Sequence, residues 1–265
     1  MDTEASCKPL AVVTGASSGI GFEIAKICAE NGFDLVIAAN EPEICNAACT
    51  FRQLGSHVIA VTVDLATIEG VDTLVCAIKG RNVDVLVANA GHGLGHAFLD
   101  QSMNDVRHVI DTNIMGTIYL IQTIGRDMRA LGQGKILVTG SSAGSVPGSF
   151  MAVYNGTEAF INSFAAALSN ELKGTGVTVT CLRPGVTDTE FFKHANMLDT
   201  NMAHQNNKDD PAKVARDGFN AMMNGESSII SGWRNKLQAT VASVIPASIL
   251  AEKSRQLAGP ETEKN

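Results

Sequence analysis

Short apolar runs alternate with segments of helical periodicity along most of the chain. The runs that predict strands cover residues 10–14, 35–39, 58–63, 83–88, 135–139, 177–182 and 228–231. Between them, the spacing of apolar residues predicts helices over 19–31, 42–55, 67–79, 103–131, 151–173 and 211–224. Nearly continuous apolar strands between helices are typical of a parallel sheet that is covered on both faces. We therefore expect a doubly wound α/β fold with a mostly parallel seven-stranded sheet and helices on both faces.

No repeat or low-complexity linker interrupts residues 8–190, so residues 1–265 are interpreted as one domain. Residues 188–210 are polar and rich in methionine and asparagine, which predicts a flexible segment. Residues 235–265 form a C-terminal tail, whose stretch 235–257 is apolar on one side and broken by Pro246. That stretch fits a packed helix, a dimer contact or a surface anchor, and packing is the simplest of the three.

The composition excludes several classes of protein. The 265 residues are 45% hydrophobic and 18% charged, and the formal net charge is −7, so no basic surface for nucleic acid is expected. The sequence contains no apolar run of about 18 residues, so no transmembrane segment is expected. The acidic N-terminus has no apolar core, so no secretory signal is expected. The six scattered cysteines form no C-x2-C pair, which predicts free thiols, no metal site and a cytoplasmic location.

The first predicted strand runs directly into a glycine-rich turn that opens a helix. This glycine turn reads Thr14-Gly-Ala-Ser-Ser-Gly-Ile-Gly21. Glycines permit a tight turn and a close approach of the backbone to a pyrophosphate, whose charge is stabilised at a helix N-terminus. Placed after the first strand of a β-α-β series, the turn predicts a dinucleotide site in a Rossmann-type domain.

Further motifs follow in chain order, each near the end of a predicted strand or on a predicted helix. They are Asp64, Asn89-Ala90-Gly91, Asp111-Thr112-Asn113, Ser141, Tyr154, Pro184-Gly185 and Thr189. Together with the T-G-x3-G-x-G spacing of the glycine turn, this set resembles the short-chain dehydrogenase/reductase family over about residues 8–190. The resemblance implies an NAD(P)(H)-dependent oxidoreductase that transfers a hydride between a nicotinamide and a small alcohol or carbonyl compound.

The resemblance also implies a role for each matching residue. Tyr154 is expected to act as general acid/base, Ser141 to hydrogen-bond the same substrate oxygen, and Asn113 to hold a water in the proton relay. The residues expected to hold the cofactor are Gly15, Ser17, Ser18, Gly19, Ile20, Gly21, Asn40, Asp64, Leu65, Asn89, Ala90, Gly91, Tyr154, Pro184, Gly185, Val186 and Thr189.

Substrate contacts are less well defined by the sequence. Met151, Val153 and residues 188–206 are expected to line the substrate pocket, with 188–210 as a lid that excludes water. His92 and His96 flank a glycine-containing stretch, which favours a solvated loop over a substrate contact.

One catalytic position departs from the family. Four residues after Tyr154, where the family has a lysine, this chain has Glu158. The usual lysine binds the ribose hydroxyls of the cofactor, and its charge lowers the pKa of the tyrosine. A carboxylate can accept bonds from those hydroxyls, but an ionised one raises the pKa of a phenol that normally titrates near ~10. A unit charge about 5 Å away is worth ~3 kcal/mol at an effective dielectric constant of about 20, so the reversed sign predicts a slow reaction near neutral pH.

Three explanations of Glu158 remain open. The protein is a slow or high-pH oxidoreductase, an altered variant whose parent carried lysine, or a nucleotide-binding protein with little or no redox activity. Lys193 and Arg183 are candidates for a compensating cation. A cofactor-free lyase on the same fold is disfavoured because the glycine turn is intact.

The end of the second predicted strand bears on the choice between NAD and NADP. An acidic residue at this point binds the hydroxyls of the adenosine ribose, whereas a basic one accepts a 2′-phosphate. Asn40 can bond a hydroxyl and Glu41 adds negative charge, so NAD(H) is favoured over NADP(H). The alternative is that both residues only begin the next helix.

The family resemblance implies a homodimer or homotetramer. By that analogy, the predicted long helices near 103–131 and 151–173 form the interface.

Overall fold

The computed structural model describes residues 8–232, 235–237 and 245–259. Seven strands form one sheet in which all neighbours are parallel. The strands are β1 Leu10–Thr14, β2 Asp34–Ala39, β3 Val58–Thr62, β4 Val85–Ala88, β5 Gly134–Thr139, β6 Val177–Arg183 and β7 Ser228–Ile230. Their order, β3-β2-β1-β4-β5-β6-β7, confirms the expected doubly wound Rossmann-like sheet. The order of the strands reverses between β1 and β4, which is where such folds bind ligands.

Helices cover both faces of the sheet. They are α1 Gly19–Glu30, α2 Ile44–Gln53, α3 Ile68–Ala77, α4 Met103–Ile110, α5 Thr117–Leu131, α6 Ala152–Glu171, α7 Phe191–His194, α8 Pro211–Met223 and α9 Ala247–Ala258. In β1, Ala11 and Val13 face the core formed with α1, α2 and α8, whereas Leu10 and Val12 face the core formed with α3, α5 and α6. Both faces of the strand are buried, which explains why its sequence is continuously apolar.

The helix predicted over 103–131 is interrupted in the structure. α4 ends at Ile110, residues Asp111–Gly116 form a wider π-helical turn, and α5 continues to Leu131. Single π turns within helices occur frequently at functional sites. The hydrophobic pattern did not reveal the interruption because apolar residues keep helical spacing on both sides of it. Asn113 lies within this turn.

The other predicted elements agree with the structure to within about two residues at most ends, which is the usual uncertainty of boundaries. One start was wrong in detail: α2 begins at Ile44, and Pro42 and Glu43 form a turn before it. The helix predicted from Asp210 and Pro211 is confirmed as α8. Its first turn is capped by Asp210, whose side chain accepts a hydrogen bond of 3.0 Å from the Ala212 amide.

The chain between β6 and α8 and the tail helix α9 form a third, smaller hydrophobic cluster beside the sheet. Its buried members are Met151, Phe192, Ala195, Met197, Ala203 and Ala258. The Met202 amide donates to the Leu257 carbonyl at 3.1 Å, and Ser149 donates to the Ala251 carbonyl at 2.9 Å. Of the three alternatives for the tail, the structure shows packing for residues 247–258. The flexibility predicted for residues 188–210 stays a prediction.

The cysteines differ in their surroundings. Burial raises the pKa of Cys28 to about 12 and is the main reason why the pKa of Cys181 rises to about 11, so both thiols are protonated at neutral pH. Cys45, Cys49 and Cys76 are exposed and unpaired, and Cys7 lies outside the described residues. Among the residues that the structure describes, no helix has the length and hydropathy needed to cross a membrane.

Candidate active site

A cavity of about 680 Å³ opens at the carboxyl ends of the strands, where the strand order reverses. It is lined by every residue expected for catalysis or cofactor binding except Gly21. We call the part near residues 14–21 and 40–41 the glycine end, and the part near α7 and α9 the tail end. Residues that are widely separated in sequence, such as Asn40, Ser141 and Leu257, therefore line one continuous cavity.

The glycine turn requires its glycines for two reasons. Gly15 and Gly19 have φ angles of +64° and +57°, a region that side chains rarely adopt. Gly21 lies behind the turn, where an added Cβ would be only 2.1 Å from the Gly15 carbonyl oxygen. Ser18 precedes α1 without capping it by its own side chain, which leaves amides at the start of the helix open to an anion.

Asn89 and Ala90 fix the glycine turn to the neighbouring strands. Their amides donate to the Thr14 hydroxyl at 2.9 and 3.0 Å, and the Asn89 side chain donates to the Thr14 carbonyl at 3.1 Å. The Thr139 hydroxyl donates to the amide oxygen of Asn89 at 3.0 Å. The ends of β1, β4 and β5 are thus held together by one hydrogen-bonded group of side chains.

Asn113 holds the backbone of the loop after β4. Its side-chain oxygen accepts from the His92 amide at 2.7 Å, and its nitrogen donates to the His92 carbonyl at 2.9 Å and to the Thr157 hydroxyl at 3.0 Å. Both ends of the side-chain amide are therefore engaged within the protein. The expected role of Asn113 in holding a water stays a prediction.

Tyr154 and Ser141 meet at the cavity. Tyr154 lies in the first turn of α6, and Ser141 follows β5. Burial raises the pKa of Tyr154 well above its usual value, the charge of Glu158 raises it further, and a hydrogen bond with Ser141 lowers it. The Tyr154 ring packs against Phe191, with ring centroids 5.1 Å apart. The phenol therefore stays protonated at neutral pH, beside a hydroxyl that can share a ligand oxygen with it.

Glu158 is buried one helical turn after Tyr154, with 6% of its surface exposed, and it lines the same cavity. Its Oε2 atom has no hydrogen-bond partner in the structure. Burial raises the pKa of the carboxyl to about 8, so Glu158 is mainly neutral at pH 7. An unpaired, buried polar atom that lines a cavity indicates a position where a ligand supplies the missing partner.

The two candidate cations do not compensate for Glu158. Arg183 donates a hydrogen bond to the Ser145 hydroxyl, and Lys193 is exposed and lies 3.9 Å from the Glu190 carboxylate. Neither residue lines the cavity. Both side chains have other partners.

The glycine end carries a cluster of acidic and histidine side chains. Ser17 donates to the Glu41 carboxylate at 3.2 Å, and His194 Nδ1 lies 3.1 Å from the same carboxylate. Asn40 lies beside them in the turn after β2 and also lines the cavity. Asp64, predicted at the end of the third strand, lies two residues beyond it and accepts from the Ala66 amide at 2.9 Å. Glu41 thus links the glycine turn to α7 across the cavity.

His92 and His96 have different positions. His92 is a half-buried loop residue that lines the cavity with its ring 4.8 Å from that of His108, so the choice between a solvated loop and a substrate contact stays open for it. Burial, together with the charges of His108 and His194, lowers the pKa of His92. His96 lies outside the cavity, where its Nε2 is 2.6 Å from the Asn196 carbonyl oxygen.

The tail end of the cavity is mostly apolar. Met151 lines it as predicted, but Val153 does not, because its position on α6 turns it away from the side that carries Tyr154. The other apolar side chains lining this end are Val186, Phe191, Phe192, Met202, Leu237, Ile245, Ile249, Leu250 and Leu257. Most of the wall from residue 237 onward was not predicted, since the sequence gave no indication of what the tail contacts.

Two further polar residues of α6 were also missed. Asn155 donates to the carbonyls of Ala143 and Val146 at 2.9 and 3.0 Å, and Asn162 donates to the Ser141 carbonyl at 2.9 Å. Both hold the segment that carries Ser141. The spacing of Asn162 could have predicted its place near the site. Tyr154, Glu158 and Asn162 follow one another at intervals of four residues, which places them on one side of a helix.

Comparison with known proteins agrees with this geometry. The short chain dehydrogenase family matches residues 9–199. An uncharacterized oxidoreductase of Staphylococcus epidermidis is 32% identical over 182 residues, which cover 68% of this chain and 78% of that protein. An NADP-dependent 3-hydroxy acid dehydrogenase of Salmonella typhi is 34% identical over 186 residues, which cover 69% and 74% of the two chains.

Solved structures show the same fold. A short chain dehydrogenase/reductase from Burkholderia phymatum in complex with NAD has a TM-score of 0.81 at 24% identity, covering 88% of this chain and 92% of that one. A short-chain dehydrogenase from Sphingobium yanoikuyae in complex with NADPH has a TM-score of 0.79 at 23% identity, covering 90% and 96%. The sequence and the fold together show that this chain belongs to the short-chain dehydrogenase/reductase family of oxidoreductases.

Proposed function

We propose that the protein is an NAD(P)(H)-dependent oxidoreductase that interconverts a secondary alcohol and a carbonyl compound. The observation that carries this proposal is that Tyr154, Ser141 and the glycine turn line the same cavity. The two hydroxyls suit proton transfer to a substrate oxygen, and the glycine turn suits a dinucleotide.

The cavity fits a dinucleotide at several points. The open amides at the start of α1 suit a pyrophosphate, and the glycines leave space for it to approach the backbone. The unpaired Oε2 atom of Glu158 suits a hydroxyl such as those of a ribose. A bound nicotinamide supplies the hydride donor or acceptor.

The protein groups then control the proton. Tyr154 donates its proton to a carbonyl oxygen during reduction and accepts one from an alcohol during oxidation, while Ser141 hydrogen-bonds the same oxygen. Below about pH 8 Glu158 is neutral, so its electrostatic effect on Tyr154 is then small. A cation that stabilises the ionised tyrosine is still missing at this position. We therefore expect turnover that is measurable but impaired.

NAD(H) is the proposed cofactor. The Glu41 carboxylate lies beside Ser17 at the end of β2, where it repels a 2′-phosphate and can accept bonds from ribose hydroxyls. The Salmonella typhi relative uses NADP, so this preference belongs to the residues of this chain and not to the family as a whole.

Calorimetric titration of the purified protein with NADH and then NADPH tests the proposal. We expect micromolar binding that is tighter for NADH, followed by hydride transfer in a screen of ketones across pH. Binding without turnover at any pH would favour a nucleotide-binding protein with little or no redox activity. Absence of binding to both nucleotides would contradict the proposal as a whole.

Assembly into a homodimer or homotetramer is part of the proposal. Apolar side chains on α5, α6 and the preceding π turn are exposed, with Met115 at 51% and Phe160 at 41%. A groove between these helices is lined by Phe164 and Leu168. Sedimentation velocity of the protein should show a dimer or tetramer, and a monomer at micromolar concentration would contradict this part.

A further inference from the structure

We propose that the tail end of the cavity takes an apolar alcohol or carbonyl compound with an acidic group far from the reacting carbon, and that Lys253 binds this group. This inference rests on the proposed function only for the position of the reacting carbon. The evidence that Lys253 binds the acidic group comes from the position and surroundings of α9.

The apolar character of this end comes from three separate parts of the chain. Met151 precedes α6, Phe191 and Phe192 belong to α7, and Leu257 belongs to α9. The Tyr154 ring contacts Phe191, so a substrate that reaches the phenol passes along apolar side chains. A hydrocarbon body gains from this environment, whereas a small polar ketone does not.

Lys253 is the exception on this apolar wall. It lies one helical turn from both Ile249 and Leu257, and all three side chains line the cavity. Lys253 is exposed, so its ammonium lies on the solvent side of the cavity while its stem can cover apolar surface. Glu252 and Arg255, its neighbours on α9, do not line the cavity.

Two further observations indicate that Lys253 is available to a ligand. In the described part of the chain, no carboxylate lies within 4.0 Å of its ammonium, although nine pairs of a lysine, arginine or histidine with a carboxylate are found elsewhere. Of the described residues that line the cavity, Lys253 is the only lysine or arginine. In a protein of formal net charge −7, an unpaired ammonium beside an apolar wall provides a local site for an anion.

The charges within the cavity also assign a direction to the substrate. Glu41 and Asp64 follow β2 and β3, on one side of the sheet, whereas α9 follows β7 on the other side. The Glu190 carboxylate also lines the cavity, but it lies 3.9 Å from the Lys193 ammonium. An anionic substrate is therefore repelled from the glycine end and attracted to Lys253 at the tail end. The reacting carbon then lies at Tyr154, and the acidic group lies at Lys253.

The test uses 9-oxodecanoate and its methyl ester, which share the ketone and the chain but differ in charge. For the native protein with NADH, we expect kcat/KM to be about fivefold higher for the acid than for the ester. The difference should lie in a lower KM for the acid, because an exposed ion pair contributes a binding energy of this size. Lys253→Gln should remove this preference and leave the ester unchanged, and Lys253→Arg should retain it. Lys213→Gln is the matched control, since Lys213 is exposed on α8 and does not line the cavity.

Decanoate, which has no ketone, separates this proposal from the proposed function. Calorimetric binding of decanoate that weakens about fivefold in Lys253→Gln, and is unchanged in Lys213→Gln, supports the site even if no ketone is reduced. Equal reduction of acid and ester by the native protein would overturn the inference. The inference would also be overturned if Lys253→Gln lowered kcat/KM equally for the acid and the ester, or if this substitution left decanoate binding unaffected.

Discussion

At the glycine end of the cavity, the walls are the ends of β1, β2 and β4 and the turns that follow them, whereas at the tail end they come from α7 and α9, outside the sheet. Backbone atoms form much of the first region, and the hydrogen bonds between Asn89 and Thr14 fix them to the strands. Side chains form most of the second region. The sheet therefore forms the proposed cofactor end, while α7 and the tail form the proposed substrate end.

Tyr154 and Glu158 lie where the two regions meet. The glycine end carries the motifs that the family resemblance predicts, whereas Glu158 stands where that resemblance predicts a lysine. On the proposed function, we expect Glu158 to separate nucleotide binding from activation of the tyrosine. Substitutions at these positions test whether the two regions act independently.

The largest effect is expected from Tyr154→Phe. Removal of the acid/base group should lower kcat by roughly 10²- to 10⁴-fold, equivalent to about 3–5 kcal/mol, while the affinity for NADH changes little. Steady-state rates and calorimetric titration on the same preparation measure both quantities. Retention of kcat within about threefold would show that another group transfers the proton.

Glu158→Gln tests the energetic cost of the buried carboxyl. The pKa of Glu158 is raised from 4.5 to about 8 in the folded protein, so the unfolded chain releases its proton at lower pH than the folded one. The free energy of unfolding should therefore fall as pH rises from about 4.5 to 8 and then remain level. The neutral glutamine lacks this penalty. The free energy of unfolding of the variant should therefore be similar to that of the native protein at pH 5 and about 4 kcal/mol higher at pH 8.

Denaturant unfolding at pH 5, 7 and 8 measures this difference. Glu30→Gln is the matched control, because Glu30 is exposed at the end of α1 and its replacement removes a carboxyl that folding does not bury. A stability difference between Glu158→Gln and the native protein that is the same at pH 5 and pH 8 would contradict the raised pKa.

Glu158→Lys should restore the coupling between the two regions. A cation at this position lowers the pKa of Tyr154 and can bind the ribose hydroxyls, so turnover near pH 7 should rise at least tenfold, or by about 1.4 kcal/mol. Glu30→Lys makes the same change of charge at the exposed end of α1 and controls for net charge. Equal or lower turnover by a folded Glu158→Lys variant would show that the carboxyl is not the cause of slow chemistry.

The same contrast explains how much could be predicted. The glycine turn was found because local backbone geometry restricts which residues fit, as the 2.1 Å approach at Gly21 illustrates, whereas Asn89 was found through the family resemblance. The π turn at Asn113 was missed, since it leaves the apolar period on both sides intact. Lys253 had no local signature, because its position depends on how the tail packs over residues 187–209. Sequence patterns report constraints within an element better than contacts between distant ones.

The smallest effect is expected from Glu41→Gln at the glycine end. Glu41 is partly exposed, with 27% of its side chain accessible, so its repulsion of a 2′-phosphate is screened by water. The ratio of NADPH to NADH affinity should therefore rise about threefold. Glu43→Gln, two residues later and exposed, should leave the ratio unchanged in the same calorimetric titrations. If both variants shift the ratio equally, the effect comes from net charge alone and Glu41 does not set the cofactor preference.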